Sequence, residues 1–364
     1  MSLPPLKIGK HEIKIPIVQG GMGVGISWDR LSGSVSAEGG LGVISSVGTG
    51  YYQNKEFAHK LSFNRPFGTE SFYSKEALIE IVKNARKICG DAPVGMNVLY
   101  AINDYGRVVR DSCEAGADII ITGAGLPTNM PEFTEGYPDV ALVPIVSSAK
   151  ALRILNKRWE GRYKRMPDAV IVEGPLSGGH QGVQFEDCYK EEYQLENLVP
   201  EVIEEAKKWG NIPVIAAGGI WDVNDIRKFM SMGAAGVQMG TRFIGTYECD
   251  APQVFKDILI GAKEEDIILI KSPVGYPARG VRTELLRLVE AKEAPEVKCI
   301  SNCVAPCRQG VEAKAVGYCI ADRLSDAAMG DAKLGLYFSG SNGYRMDKIV
   351  SVKELMEELT QDDN

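Results

Sequence analysis

No apolar run in this sequence approaches the roughly 20 residues that a membrane-spanning helix needs. The first residues, MSLPPLKIGKHEIK, hold no apolar stretch of the kind that leads a secreted protein. The expected location is therefore the cytoplasm, with no membrane partner. Positive charge is not in excess either: 41 Lys and Arg stand against 48 Asp and Glu, a formal net charge of -7, and no basic block stands out. That argues against a nucleic-acid surface, which needs a stripe of cations to meet phosphates. Cysteine is too sparse, at 8 in 364 residues, to build a disulfide scaffold. Nor are apolar residues lacking, since 45% of the chain is hydrophobic and 24% charged, the balance of an ordinary globular enzyme.

What is present is a repeated pattern. Short Val/Ile-rich runs, each followed by a Gly-containing turn and a helix-like stretch, recur at Ile15–Gln19, Gly42–Ser45, Val94–Val98, Ile119–Thr122, Leu142–Ile145, Ala169–Val172, Val214–Ala217 and Gly236–Met239. Runs such as IIIT and PVIAA are apolar without alternation, as expected of parallel strands covered on both faces. Between them, KEALIEIVKNARKIC, NDYGRVVRDSCEAG, PEVIEEAKKWG and VNDIRKFMSMG read as helices. Eight such units predict an α/β fold, a closed TIM (β/α)8 barrel over residues 1–250, whose ligand groups sit on the loops after the strands. A doubly wound open sheet is the alternative. Residues 251–364 are expected to form an extension holding the loop SPVGYPARG, a crowd of cysteines and a closing helix capped by Ser351 with Glu354 three residues on.

Glycine clusters mark the strand ends. After the first strand comes Gln19-Gly20-Gly21-Met22-Gly23, a turn that can lay its amides against a flat ring, although a plain structural turn fits the same residues. The last two strands end in Ala217-Gly218-Gly219 and Met239-Gly240-Thr241, where many barrels of this kind grip a phosphate through free backbone N–H groups. Asn97 closes the third strand, where its amide can meet the polar edge of a bound ring or serve as a buried structural group. After the sixth strand, Glu173-Gly174-Pro175-Leu176-Ser177-Gly178-Gly179-His180 places a histidine among glycines on the catalytic face. An imidazole titrates near neutral pH, so acid–base work is its natural role there. His11 and His59 lie outside any such constellation and read as surface or packing residues.

The turn QGGMG, the GGH loop, AAGGI and MGTRF, in this order over roughly residues 10–290, resemble the nitronate monooxygenase and flavin-type enoyl-ACP reductase superfamily of FMN-binding TIM barrels. The resemblance implies that Gly20, Gly21 and Met22 lie by the isoalloxazine ring and that Asn97 contacts it. It also implies that Glu173, Ser177, Gly178 and Gly179 belong to the cofactor-binding set, that Gly218, Gly219, Gly240 and Thr241 hold the phosphate, and that His180 is catalytic. The chain departs from the family where Pro-Leu-Ser-Gly stands ahead of Gly-His, and where Ser147 and Ser148 take the place of a lysine that some members carry after the fifth strand.

Cys299, Cys303, Cys307 and Cys319 are spaced C-x3-C-x3-C-x11-C, which supplies the four thiolates of a [4Fe–4S] cluster. Zinc or free thiols would use the same residues. The spacing is similar to the cluster motif of the 2,4-dienoyl-CoA reductases. Together with GPLSGGHQG, KSPVGYPAR and the tail YFSGSNGYRMDKIVSV, it resembles the bacterial FMN and iron–sulfur acyl-ACP dehydrogenase/isomerases of unsaturated fatty-acid synthesis.

That resemblance implies a medium-chain saturated acyl-ACP as substrate. His180 would take an α-proton while hydride goes to FMN, then shift a proton between the γ- and α-positions; electrons would pass through the cluster to O2 or another acceptor. Oxidation of alkyl nitronates with O2, NAD(P)H-dependent enoyl-ACP reduction and a non-enzymatic flavin-binding module are the alternatives, and a homodimer is left open. Lys271, Arg279 and Arg282 read as solvated charges of a loop, with attraction of an anionic carrier protein as the second reading.

Overall fold

The computed structural model describes residues 3–49, 73–299 and 303–361. His59 lies outside the described residues. The chain opens with a small antiparallel hairpin, β1 (Leu6–Ile8) and β2 (His11–Ile13), followed by β3 (Ile17–Gln19), β4 (Gly42–Ser45), β5 (Val94–Leu99), β6 (Ile119–Gly123), β7 (Ala141–Val146) and β8 (Val170–Glu173). Then come the short β9 (Gly179–His180), β10 (Val214–Ala217), β11 (Gly236–Met239), β12 (Ile267–Ile270) and β13 (Ala278–Val281). Eight of these form one parallel sheet in the order β3-β11-β10-β8-β7-β6-β5-β4. The seam between β3 and β4 is closed by the Val18–Leu41 bridge, and by the Gln19 amide, which accepts from Val43 N at 3.0 Å and donates to Val43 O at 3.3 Å. The fold is thus the (β/α)8 barrel that the sequence repeats predict, with all eight expected strands in place.

Alternation along each strand builds two layers of core. Val18, Val43, Ile119, Ile121, Val143, Ile171 and Ile215 point inward and pack on Leu6, Ile8 and Ile13, so the hairpin plugs the floor of the barrel. Their neighbours Ile120, Leu142, Val170, Val172, Val214 and Val237 point outward beneath the helices. Because both faces are buried, the strands carry no polar alternation, which is why they read as continuous apolar runs.

Helix starts are set by side chains that accept the free N–H groups of the first turn. Ser148, at the family's lysine region, caps the helix Ala149–Tyr163 by accepting from Ala151 N at 3.1 Å. Asp222 and Asp225 form a capping box on Val223–Ser231, and Ser351 and Glu354 form the expected one on Val352–Thr360. That last helix buries Val352, Leu355, Met356 and Leu359 in the same core as Phe243 and Ile244.

Beyond residue 250 the chain folds back over the barrel mouth. β12, β13 and β9 make a three-stranded antiparallel sheet, with Ala278 opposite His180 and Arg279 opposite Gly179. A strand of the extension therefore holds the histidine loop in register. Among the described residues no helix is long and apolar enough to cross a membrane.

Candidate functional site

A cavity of about 750 Å³ opens at the C-terminal ends of the barrel strands, within the usual size range of small-molecule sites. Gly20, Gly21, Met22, Asn97, Glu173, Ser177, Gly178, Gly179, His180, Gly218, Gly219, Gly240 and Thr241 all border it. The structure thus gathers every expected cofactor and catalytic position from the ends of five strands onto one space.

The first wall is the turn after β3. A Cβ at Gly21 would lie 2.3 Å from Asn97 Cβ, so only glycine lets this turn lie flat against β5. Asn97 is 6% exposed, and its Nδ2 donates to Ile121 O over a long 3.5 Å, which weakens the purely structural reading of its amide. The hydroxyls of Ser45 and Ser46 are buried on the same side with no hydrogen-bond partner among the described residues. Buried polar atoms are normally satisfied, so these orphans suit the polar edge of a ring that carries its own donors and acceptors.

The second wall is a cradle. Gly218 and Gly219 adopt φ of 104° and 79°, the left-handed region that glycine alone enters freely, and a Cβ at Gly218 would lie 2.8 Å from Gly174 O. Gly240 precedes the four-residue helix Thr241–Ile244. The Thr241 hydroxyl accepts from Gly340 N at 2.8 Å, and Asn342 donates to Gly219 O at 2.6 Å, so the tail segment SGSN braces both glycine turns. Neither Asn342 nor Gly340 was singled out as a site residue; their signal was the tail motif YFSGSNGYR, which carries no chemistry readable without the fold. Arg242, next to Thr241, donates from one terminal nitrogen to both Glu358 carboxylate oxygens at 2.7 and 2.9 Å, with its guanidinium 5.0 Å from the Trp221 ring.

The third wall carries the histidine. Gln181 was also missed by sequence reasoning. It is fully enclosed and donates to Ser177 O and Gly179 O, both at 2.9 Å, so it knits the loop from inside. Arg279 corrects an expectation: it is 8% exposed rather than a solvated charge, and it donates to Pro175 O at 2.8 Å. Lys271 is exposed and Arg282 pairs with Glu290, in keeping with a solvated loop. His180 itself lies in β9, not in an irregular loop, and its ring packs edge-on against Phe338 at 5.4 Å. Its Nε2 shares a hydrogen bond of 2.7 Å with Ser272 Oγ. The surface it shows is cavity surface; burial pushes its pKa down to about 4, so the imidazole is neutral at physiological pH.

Glu173, at the end of β8, faces the same cavity, and burial raises its carboxyl to about 7 from an ordinary 4.5. With the folded-state pKa raised, the folded protein holds this proton where the unfolded chain has lost it. The group's stabilising contribution is complete below pH 4.5 and drains away as pH rises through about 7. Melting the wild type and Glu173→Gln from pH 4.5 to 8 should show a decline in the wild type that the glutamine variant flattens. Parallel curves would mean that the carboxyl is not held neutral.

The cysteines give a different result. Cys303 borders the cavity, and Cys299 and Cys303 lie near enough to raise the Cys319 thiol further, after burial has pushed it up to about 12. Cys307 packs in the same apolar cluster as Cys303. Among the described residues, however, no three His, Cys, Asp or Glu side chains converge as a metal-holding group. Among the described residues, Cys303 is the one of the four that lines the cavity, and the expected four-thiolate group is not found.

Comparison with known proteins agrees with the site. The nitronate monooxygenase family matches residues 4–362. A probable nitronate monooxygenase of Staphylococcus saprophyticus is 28% identical over 301 residues, 79% of this chain and 81% of that protein; one from Staphylococcus aureus strain JH9 is 27% identical over 293 residues, 75% and 77%. Among solved structures, FabK from Thermotoga maritima aligns with a TM-score of 0.71 at 26% identity, covering 94% of this chain and 91% of that one. The nitroalkane oxidase of Streptomyces ansochromogenes shares the fold, with a TM-score of 0.66 at 21% identity over 94% of each chain. With the glycine cradle, the neutral histidine and a family match spanning almost the whole chain, this protein belongs to the nitronate monooxygenase family of FMN-dependent oxidoreductases.

Proposed function

We propose that this enzyme dehydrogenates a medium-chain saturated acyl-ACP and isomerises the product to a chain-internal alkene. The observation that carries this reading is the lining of the cavity. Besides the glycine cradle it includes Val24, Leu99, Ile102, Val304 and Leu324, apolar side chains supplied partly by the extension. A small nitronate has no use for such a wall, whereas an acyl chain gains about 0.8 kcal/mol for each methylene it buries there.

In this reading Gly20, Gly21, Met22, Asn97, Glu173 and the Ser177–Gly179 segment hold the flavin ring and ribityl chain, and Gly218, Gly219, Gly240 and Thr241 hold its phosphate. FMN, when bound, accepts the hydride that leaves the acyl β-carbon. His180 takes the α-proton in the same event and is left as imidazolium. Once that proton has left to solvent, the neutral ring takes a proton from the γ-carbon and delivers it to the α-carbon, so the double bond moves and the acyl chain's proton count is unchanged in this step. Two electrons leave to O2 or another acceptor between turnovers. The cysteine spacing, and the proximity of Cys299 and Cys303 to Cys319, support these four residues as [4Fe–4S] ligands with single-electron transfer as their use; no step above is routed through them.

The test is incubation of the FMN-loaded protein with saturated acyl-ACP of about ten carbons, with analysis of the acyl chain and of iron and sulfide content. Unsaturated product is expected, and about four irons per chain that Cys303→Ser loses. A protein that leaves the acyl chain untouched refutes the reading. The family match favours a second reading, oxidation of alkyl nitronates with O2, which would show as ethylnitronate consumption unaffected by Cys303→Ser. Rapid flavin bleaching by NADH would point instead to enoyl-ACP reduction.

A further inference from the structure

On its apolar side the cavity is bordered by a strap from the extension. The cysteine segment meets the loop after β5 edge to edge: Ala305 N donates to Ala101 O at 2.9 Å, Asn103 N donates to Cys303 O at 3.2 Å, and an antiparallel bridge joins Ile102 to Val304. Ile102 and Val304 are the pair enclosed between these two bonds, the position in an antiparallel ladder where facing side chains come closest. Both border the cavity. Val304 is buried, and Ile102 packs against the same apolar cluster.

That cluster connects the pair to the histidine. Phe338, whose ring meets His180 edge-on, belongs to it, as do Val274 and Leu324, and all three border the cavity. Round the barrel the order runs β8-β7-β6-β5, so about 14 Å of wall lies between the strand that leads to His180 and the strand that leads to Ile102. None of these five apolar side chains offers a ligand a polar atom. A ligand lying along them gains only through the apolar length it buries, and the gain ends where the length of wall ends.

We propose that the Ile102–Val304 pair is the chain-length stop of this site: an acyl chain whose α- and β-carbons lie at His180 runs its tail along Phe338 and Leu324 toward the strap, and the two facing side chains fix how many methylenes fit. The proposal rests on the acyl-chain reading given above and adds to it a measuring contact made jointly by the barrel and the extension. The strap suits that task because main-chain hydrogen bonds set its position, so a change of side chain at 102 or 304 leaves the backbone that carries it in place.

The test is calorimetric titration of the full-length FMN-loaded protein with free saturated fatty acids of about eight to sixteen carbons, beside desaturation of the matching acyl-ACP series. Fatty acids serve as inert probes because a carboxylate, unlike a thioester, does not acidify the hydrogens on its α-carbon. In the wild type, affinity should rise about fourfold per methylene up to a medium length and then stop rising. Ile102→Ala should move that break about two or three methylenes longer, and Val304→Phe should move it shorter by about as much. The acyl-ACP length that turns over fastest should move with the break. Opposite shifts in the two variants separate a stop from a damaged fold, which would weaken every length alike. A break that stays in place in both variants, or affinity that climbs through the whole series in the wild type, overturns the proposal. If the break moves as stated while no acyl-ACP is desaturated, the stop stands and the reaction assigned to the site fails; desaturation with an unmoved break refutes the stop alone. If no chain of any length binds or turns over, both fall.

Discussion

Replacing His180 by alanine should lower turnover by roughly two to four orders of magnitude while leaving bound FMN near its wild-type level. The two halves of that expectation have separate origins. The cradle residues Gly218, Gly219, Gly240 and Thr241 are braced by Asn342 and Gly340, not by the imidazole, so the anionic end of the cofactor loses no contact. The loop around position 180 is likewise held by Gln181, Arg279 and the pairing of β9 with β13, so the alanine side chain should occupy an otherwise unchanged strand. What disappears is the one imidazole that lines the cavity among the described residues.

The pH dependence of turnover checks the same point. Because burial holds the ring's pKa near 4, the base is not protonated on going from pH 8 to 5, and in Glu173→Gln, which lacks the carboxyl that titrates near 7 in the same cavity, kcat/KM should stay level over that range. An acid limb centred near the ordinary histidine value of about 6.5 would show that the ring is solvated, contrary to its place behind Phe338. Flavin absorbance per chain, measured beside the rate, separates lost chemistry from lost cofactor.

Much of the site was legible before the fold was known, for an identifiable reason. The proposed roles of Gly218, Gly219 and His180 use their own backbone or ring at a strand end that borders the cavity, and strand ends are found from apolar runs alone. The eight runs are legible because a parallel strand buried on both faces has no competing pattern. What was not legible depends on contacts between distant segments. Arg279 reads as a loop charge in the sequence, yet it lies in β13 beside the histidine strand and is buried against Pro175, more than a hundred positions earlier. Gln181 looks like an ordinary polar neighbour of His180 until its amide is seen bonded to both sides of the loop. The cysteines are a different case. A spacing pattern states how many thiols are near one another along the chain, but not how their sulfur atoms are arranged in space, and among the described residues they do not stand as a ready metal-holding group.

The second large effect concerns Gly21, where alanine should abolish stable FMN binding. Its Cβ would stand 2.3 Å from Asn97 Cβ and 2.9 Å from Asn97 Cγ. Asn97 cannot retreat, because β5 is hydrogen-bonded to strands on both sides and Asn97 is paired with Ser45 on one and Ile121 on the other. The turn must move instead, and the open direction is into the space assigned to the flavin ring. Flavin stoichiometry should therefore collapse, and forcing the backbone to shift should cost about 1–3 kcal/mol of stability as well.

Gly240→Ala is the informative partner. A Cβ there meets nothing closer than Met22 Sδ at 3.5 Å, an ordinary contact, and the residue's φ of -109° suits any amino acid. The protein alone gives no reason for glycine at that position. If alanine at 240 leaves the melting temperature of the flavin-free protein unchanged and still weakens FMN, the missing neighbour is the cofactor's phosphate. If it weakens neither, the phosphate is gripped elsewhere and the cradle assignment is wrong.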